Sequence, residues 1–324
     1  MEILAHWFDT HELRTLELAE ITGGLSGARL WRVTIADISY ILRSWPRGKF
    51  AGSDLPQIHG LMEHAWNAGF REIPVPRRTL NQQTLVSDDG QLWDLARWLA
   101  GEVVSTPDLL QANAAMTALA KFHLAVATFQ EQRYGIAPGL LQRVCILDDL
   151  RAGALTQLTR AVHLSARSEL RDIAKLLVSQ IEVLLPIAIE LVYKSAEKPF
   201  PLQWCLGDIH VGNVLFVGGQ VTGLIDFGAA CEDSVARDVA RLGSSAAGSS
   251  VVRWHGALDA YQRYRPLSAD ELQAVRAYDL GGSIGTAANW LRWLFIENRT
   301  FTDAVTTQAR LVKLAQRLDS LLNK

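Results

Sequence analysis

The chain has 324 residues, 49% hydrophobic and 20% charged, so it can bury two packed lobes and is not a disordered protein. Its formal net charge of −2 provides no basic excess, which argues against nucleic acid and membrane surfaces as partners. The three cysteines lack disulfide or metal spacing and the start MEILAHWFDTHE is acidic, unlike a signal peptide, so we expect a cytoplasmic protein.

The first hundred residues carry strand patterns. The runs LWRVTI (30–35) and SYILRSW (39–45) are rich in β-branched and aromatic residues, and the short junction between them predicts a hairpin. A helical pattern follows at 56–69. The sequence Asp-Asp-Gly at 88–90 then predicts a second hairpin turn.

From about residue 108 the apolar spacing becomes helical, beginning with the Ala-rich segment 109–129. Helical patterns dominate the remainder, except where VLFVGGQVTGLIDFG (214–228) predicts two short strands around a glycine pair. The most apolar segment, 176–192, contains Pro186 and two glutamates. It predicts a buried helix that breaks at the proline and does not span a membrane.

Strands first and helices afterwards indicate an α+β chain of two lobes. We expect a strand-rich lobe at residues 1–99, which would bind a nucleotide. A helical lobe at 100–324 would carry the catalytic loop and the acceptor site. The seam between them is expected near LARWLAGE (95–102).

A glycine-rich stretch, TGGLSGARLWRV (22–33), precedes the first of these strands. Backbone N–H groups in such a turn can approach phosphates closely because glycine has no Cβ. A flexible hairpin turn is the alternative interpretation. No Gly-Lys-Ser/Thr follows, and the glycines lead into a strand, so neither a P-loop nor a dinucleotide fold is supported. The residues that could contact phosphates are Gly23, Gly24, Ser26 and Gly27.

Two further motifs, CLGDIHVGNVLF (205–216) and LIDFG (224–228), place three oxygen-bearing side chains close in sequence. Asp208 and Asn213 have the D-x-x-x-x-N spacing of a kinase catalytic loop, and Asp226 begins the Asp-Phe-Gly that follows it. Phosphoryl transfer needs a carboxylate to orient the attacking hydroxyl and accept its proton. It also needs amide and carboxylate oxygens, which are the ligands that Mg²⁺ prefers.

With these motifs the chain resembles the aminoglycoside phosphotransferase-like family of small-molecule kinases, which has a two-lobed protein-kinase-like fold. The resemblance lies mainly in LGDIHVGNVLF…GQVTGLIDFG…DVARL (206–242). Weaker likeness lies in GGLSG…LWRV…YILR (23–43) and LAKFHLA (119–125). Because these segments touch both lobes, the family fold would cover nearly the whole chain.

The resemblance implies roles for particular residues. Asp208 would be the catalytic base, and Asn213 and Asp226 would bind Mg²⁺. Arg43 falls where the family carries its nucleotide-anchoring basic residue on the third strand, and a guanidinium can grip phosphate oxygens with two N–H groups. Lys49 is the alternative anchor and is expected on a loop.

The sequence departs from the family pattern at two places. Leu206 stands where the family usually has a histidine, a change that could loosen the catalytic loop. The acidic partner of the nucleotide anchor is also not evident. Glu63 and His59 lie one helical turn apart, and either could face the cleft, although a solvent-facing position is equally compatible with Glu63.

Other polar residues have simpler interpretations. His210 could contact substrate, but we expect it to support the shape of the loop, and His123 fits a hydrogen-bonded core histidine. The resemblance implies that Asp238 holds the catalytic loop, because the family uses an aspartate there for that purpose. Four acidic residues could attract a cationic acceptor or form an ordinary charged surface: Asp148, Asp149, Glu232 and Asp233.

These features predict an ATP- and Mg²⁺-dependent phosphotransferase that acts on a hydroxyl group of a small molecule. Two alternatives stay open at this point. One is a nucleotide-binding scaffold without transfer activity, which the leucine at position 206 would permit. The other is a metal-dependent phosphate-ester hydrolase, which leaves Asn213 and the glycine-rich turn unexplained.

Overall fold

The structure, a computed structural model, describes residues 2–21, 27–48, 54–165, 167–301 and 304–322. The N-terminal part is a five-stranded antiparallel sheet with one described α-helix, in the strand order β1-β2-β3-β5-β4. Its elements are β1 Glu17–Ile21, β2 Arg29–Ile35, β3 Ile38–Trp45, α1 Asp54–Asn67, β4 Val86–Asp88 and β5 Gln91–Arg97.

Turn chemistry fixes the register of this sheet. Ala36 and Asp37 both have positive φ (48° and 64°), as a two-residue turn that follows the twist of the sheet requires. Asp89 and Gly90, at φ 45° and 72°, form the corresponding turn between β4 and β5. Both predicted hairpins are therefore confirmed.

The C-terminal part is mainly helical and contains two small three-stranded sheets, ordered β10-β9-β6 and β11-β8-β7. The strands are β6 Glu102–Val103, β7 Arg133–Ile136, β8 Pro199–Cys205, β9 Val214–Val217, β10 Gln220–Leu224 and β11 Cys231–Asp233. The helices are α2 Leu109–Val126, α3 Pro138–Asp149, α4 Leu155–Leu164, α5 Ser168–Ala196, α6 Ala236–Ala247, α7 Val251–Gln262, α8 Ala269–Phe295 and α9 Ala304–Leu322.

Helices α2 and α8 begin at capping boxes. Asp108 and Gln111 form a reciprocal capping box at the start of α2, and Ser268 and Glu271 form another at the start of α8. Each box satisfies two backbone N–H groups that the helix itself leaves without partners.

Helix α5 is continuous through Pro186, so the predicted break is wrong. The proline removes one backbone hydrogen bond, but Leu184, Leu185 and Ala188 on either side of it are buried in the core. Packing of this face outweighs the local cost of the proline. By length and composition α5 could cross a membrane, although 44% of its apolar window is buried inside the protein.

The helical core of the C-terminal part and the N-terminal sheet meet beside the Asp-Phe-Gly segment (226–228). Phe227 is buried and its ring packs edge-on against Phe122 of α2 at 5.7 Å between centroids. A Cβ built on Gly228 would lie 3.5 Å from the Trp45 ring at the end of β3. The segment therefore lies directly between the helical core and the sheet.

Candidate active site

One face of α6 holds the loop 206–213 in place. Asp238 accepts the backbone N–H groups of Leu206 and Gly207 at 2.6 and 2.9 Å. Seven residues later, Ser245 Oγ accepts the N–H of Val211 at 2.9 Å. Residues at this spacing share a helix face, so α6 supports the loop at both ends.

Asp208 lies at the centre of this loop with 57% of its side chain exposed. Arg241, from the same face of α6, donates through Nε to Oδ1 at 3.0 Å, and its Nη2 lies 2.9 Å from the same oxygen. No described residue donates a hydrogen bond to Oδ2. A carboxylate with one free oxygen facing solvent can accept a proton from an approaching hydroxyl group.

Asn213 and Asp226 are brought together by the backbone. Ile225 N–H donates to the Asn213 carbonyl at 2.9 Å, which fixes Asp226 beside the loop. The Asn213 side chain donates through Nδ2 to the Asp208 carbonyl at 3.1 Å. Asp208, Asn213 and Asp226 therefore converge on one place, as the motif spacing predicts.

The oxygens of this group suit a hard cation. Asp226 has a left-handed backbone (φ 63°, ψ 66°), an uncommon conformation for a residue other than glycine and one that often marks functional sites. Within the described chain, neither the Asp226 carboxylate nor Asn213 Oδ1 accepts a hydrogen bond from protein. Free carboxylate and amide oxygens are the donor set that Mg²⁺ prefers.

Arg43 lies on β3, the central strand of the N-terminal sheet, and pairs with Asp94 directly opposite on β5. Arg43 Nε donates to Asp94 Oδ1 at 2.9 Å, and the Trp45 indole N–H donates to the other oxygen. Burial alone would raise the pKa of Asp94, but the charge of Arg43 and the nearby His59 lower it to about 2. The fully buried Asp94 therefore stays ionised and fixes the guanidinium.

This pair resolves which acid faces the nucleotide anchor. Glu63 instead forms an ion pair with Arg78 at 2.6 Å, away from Arg43. His59 is buried with its Nε2 3.7 Å from Asp94 Oδ2. The acidic partner of Arg43 is thus Asp94, and not Glu63 or His59, which the sequence analysis considered.

The structure describes only part of the glycine-rich turn. Gly23, Gly24 and Ser26 lie outside the described residues, as does Lys49. Gly27 is described, with φ 73°, and a Cβ at this position would lie 3.3 Å from Pro46 Cγ. It therefore lies beside Pro46, which directly follows the end of β3.

Leu206 and two histidines complete the packing of the loop. Leu206 is buried in the core, and Asp238 accepts its backbone N–H. His123 is also fully buried and contacts Asp238 through Nε2 and the Tyr261 hydroxyl through Nδ1, as expected of a core histidine. His210 Nδ1 accepts the Gly212 N–H at 3.0 Å, which gives it the expected role in loop shape.

The four acidic residues considered for a cationic acceptor all have protein partners. Asp233 is fully buried and bonds to Tyr278, Arg237 and the backbone of Gly139. The other three form ion pairs, namely Asp148–Arg151, Asp149–Arg292 and Glu232–Arg133. Asp233 is therefore part of the core, and the other three carboxylates are ion-paired.

Sequence reasoning missed Asp94, Arg241 and Ser245. Asp94 had one signal, a carboxylate inside the apolar strand LWDLA, since buried acids need a partner. Arg241 and Ser245 also had a signal, because they follow Asp238 at the spacing of one helix face.

Similarity to known proteins covers most of the chain. A model of the phosphotransferase enzyme family matches residues 17–278. A homoserine kinase of Rhizobium johnstonii is 30% identical over 245 residues, which cover 72% of this chain and 67% of that protein.

Solved structures share the fold at low sequence identity. An aminoglycoside phosphotransferase from Alicyclobacillus acidocaldarius superposes with a TM-score of 0.71 at 13% identity and covers 99% of this chain and 93% of its own. An amicoumacin kinase in complex with AMP-PNP and Ca²⁺ has a TM-score of 0.63 at 11% identity, with coverage of 98% and 95%.

Proposed function

Because the chain belongs to the phosphotransferase enzyme family and is an ATP-dependent small-molecule kinase, we propose that Asp208 is its catalytic base and that Asn213 and Asp226 bind Mg²⁺. The observation that carries this proposal is that α6 holds the loop of Asp208 and Asn213, and that a backbone hydrogen bond from Ile225 to Asn213 places Asp226 beside this loop. Family membership favours phosphotransfer over both alternatives, the inactive scaffold and the hydrolase.

In the proposed reaction the Asp208 carboxylate orients the acceptor hydroxyl and takes its proton. A bond forms between the acceptor oxygen and the γ-phosphorus of ATP as the bond from that phosphorus to the bridging oxygen of ADP breaks. Mg²⁺ would neutralise charge that develops on the phosphate oxygens. Most of the rate enhancement would come from positioning and charge neutralisation, because the protein forms no covalent bond to the substrate in this reaction.

Arg43 is proposed to hold the nucleotide phosphates. Its Nε is bound by Asp94, while its two terminal nitrogens donate to no described residue and are available to phosphate oxygens. Gly27, together with Gly23, Gly24 and Ser26, is proposed to cover the phosphates through backbone N–H groups. The similar proteins include a homoserine kinase and an aminoglycoside phosphotransferase. Homoserine and aminoglycosides are therefore the first hydroxyl compounds to test as acceptors.

The test begins with the nucleotide. At about one hundred times its dissociation constant, Mg-ATP should stabilise the protein by about 2.7 kcal/mol, seen as a rise in thermal midpoint. The rise should shrink in Asp226→Asn. ADP release with a panel of hydroxyl acceptors should then depend on Asp208, so Asp208→Asn should bind Mg-ATP and lose transfer at least a hundredfold. If Asp208→Asn transfers phosphate at the native rate, the assignment of the base is wrong.

A further inference from the structure

The residue before Asp208 is a glycine, whose backbone is the least restricted of any residue. Gly207 has a φ of 79°, a conformation that glycine adopts without the steric cost of a side chain. The same freedom leaves its φ and ψ easy to change, and a change in either angle would turn the Asp208 carboxylate to another direction. The direction of Asp208 therefore depends on the hydrogen bonds that hold the two peptide groups of Gly207.

Neighbouring residues of α6 hold both of these peptide groups. Asp238 accepts the Gly207 N–H at 2.9 Å, and Arg237 donates through Nε to the Gly207 carbonyl at 3.1 Å. The two contacts lie on opposite sides of the Gly207 Cα, so together they fix the rotations that glycine leaves free. The carbonyl that Arg237 holds belongs to the peptide that joins Gly207 to Asp208.

Arg237 is itself fixed by a buried acid. Its Nη1 donates to Asp233 Oδ2 at 3.0 Å while its Nε is bound to Gly207, so one guanidinium group bridges the two residues. The bridge is shielded from water, because 20% of the Arg237 side chain is exposed and none of the Asp233 side chain. A guanidinium suits this place, since it stays charged and its planar fork presents N–H groups in fixed directions.

Asp233 connects this bridge to two further helices. Tyr278 of α8 donates to Oδ1 at 2.7 Å, and Gly139 in the first turn of α3 donates its N–H to Oδ2 at 3.0 Å. With Arg237 and the Ser234 N–H, the carboxylate accepts four hydrogen bonds, which fill the capacity of its two oxygens. Burial and the charge of Asp233 raise the pKa of Tyr278 well above its ordinary value of 10, so its hydroxyl remains a donor.

We infer that Arg237 is a positioning residue for phosphoryl transfer, which directs the Asp208 carboxylate at the acceptor hydroxyl through the Gly207 carbonyl. Asp233 and Tyr278 act through Arg237. The inference rests on the proposed function, since it takes Asp208 as the base. Arg237 acts on the base and not on the nucleotide, so its loss should lower kcat and leave the KM for ATP unchanged.

Arg237→Lys separates this role from a merely structural one. Lysine keeps a positive charge beside Asp233 but offers one nitrogen in place of the two that bridge Asp233 and Gly207. We expect a urea midpoint close to the native one and a kcat at least about tenfold lower, with any acceptor that the native protein phosphorylates. The matched control is Arg253→Lys. Arg253 of α7 also donates to a backbone carbonyl, that of Pro107 at 3.2 Å, and its variant should keep the native kcat.

Tyr278→Phe tests the path through Asp233 and changes no charge. It removes one donor from the carboxylate that fixes Arg237, so kcat should fall in the same direction, by less than in Arg237→Lys. The double variant should lose less than the product of the two single effects, because both substitutions act through Asp233. If Arg237→Lys fails to fold, Tyr278→Phe still tests the inference.

Amide hydrogen exchange measures the hold on the loop without any acceptor. Residues 205–216 should exchange faster in Arg237→Lys than in the native protein and in Arg253→Lys, while α2 and α5 should exchange as before. Native exchange of residues 205–216, or a native kcat in both Arg237→Lys and Tyr278→Phe, would overturn the inference. Failure of the proposed function is seen separately, as transfer at the native rate by Asp208→Asn.

Discussion

The Asp238 carboxylate accepts the backbone N–H of Leu206 at 2.6 Å, at the position where the sequence departs from the expected histidine. Its second oxygen accepts the N–H of Gly207, and His123 Nε2 of α2 lies 3.2 Å from the oxygen that Leu206 uses. The start of the loop is therefore held through its backbone, and the side chain at 206 is free to pack in the core.

Replacing Asp238 with Asn should loosen this loop. An amide offers one acceptor oxygen in place of two and turns an N–H₂ toward backbone donors. Hydrogen bonds to a charged group contribute about 1.5–3 kcal/mol each, so the free energy of unfolding should fall by at least about 2 kcal/mol. Urea unfolding measures the loss, and kcat should fall more than tenfold. Asp259→Asn, an exposed aspartate on α7, is the control and should change stability by less than about 0.5 kcal/mol.

Gly207 allows a close approach that a side chain would prevent. Its φ is 79°, and a Cβ would overlap the carbonyl oxygen of Ala229 after the Asp-Phe-Gly segment. Gly218 also has positive φ (59°) but has open space around it. We expect Gly218→Ala to cost about 1 kcal/mol from backbone strain and to keep activity.

Gly207→Ala should therefore cost clearly more than Gly218→Ala and should lower kcat, because the Ala229 backbone must move away from the loop. Both variants are compared by urea unfolding and steady-state kinetics. Equal losses of stability would show that backbone conformation alone, and not the close approach to Ala229, makes glycine necessary at 207.

Asp94→Asn should destabilise the protein and weaken ATP binding. The substitution leaves the Arg43 charge buried without a partner, and breaking a buried ion pair typically costs about 3–5 kcal/mol. The double variant Arg43→Gln/Asp94→Asn removes both charges, so part of the stability should return. The KM for ATP should remain high in the double variant because the guanidinium is lost. Recovery of the native KM in the double variant would mean that Arg43 does not bind the nucleotide.

The fold and the family were predictable because their signals are local. The turn residues at 36–37 and 88–90 determine their hairpins through their own backbone preferences. The order of the motifs around Asp208 and Asp226 indicates a kinase-like fold. Phosphotransferase membership and the two-lobed α+β fold are confirmed. The roles of individual site residues remain predictions.

The missed features depend on contacts between distant segments. Asp94 meets Arg43 through cross-strand register, 51 positions apart in the chain, while Glu63 was closer in sequence and turned out to face Arg78. Ser245 meets the Val211 N–H only because α6 packs against the catalytic loop, 34 positions apart in the chain. Pro186 predicts a helix break by its own chemistry, and only the packing of its neighbours reverses that prediction.

His123 should make stability depend on pH. The ring is fully buried, and its contacts suit the neutral form, in which Nε2–H donates to Asp238 and Nδ1 accepts from the Tyr261 hydroxyl. Burial lowers the pKa of His123 below its ordinary value of 6.5, although the charge of Asp238 opposes this. Below about pH 6.5 the unfolded chain therefore binds a proton that the folded chain does not, and the free energy of unfolding falls with pH until the folded-state pKa is reached.

His123→Gln should reduce this dependence while it keeps a donor for Asp238 and an acceptor for Tyr261. Urea unfolding between pH 8 and pH 5 should show a shallower fall than in the native protein, by up to about 1.4 kcal/mol per pH unit, the value for one proton. His255→Gln removes an exposed histidine of α7 and serves as the control, with the slope of the native protein. If His123→Gln and the native protein lose stability in parallel below pH 6.5, the buried ring is not the group that titrates.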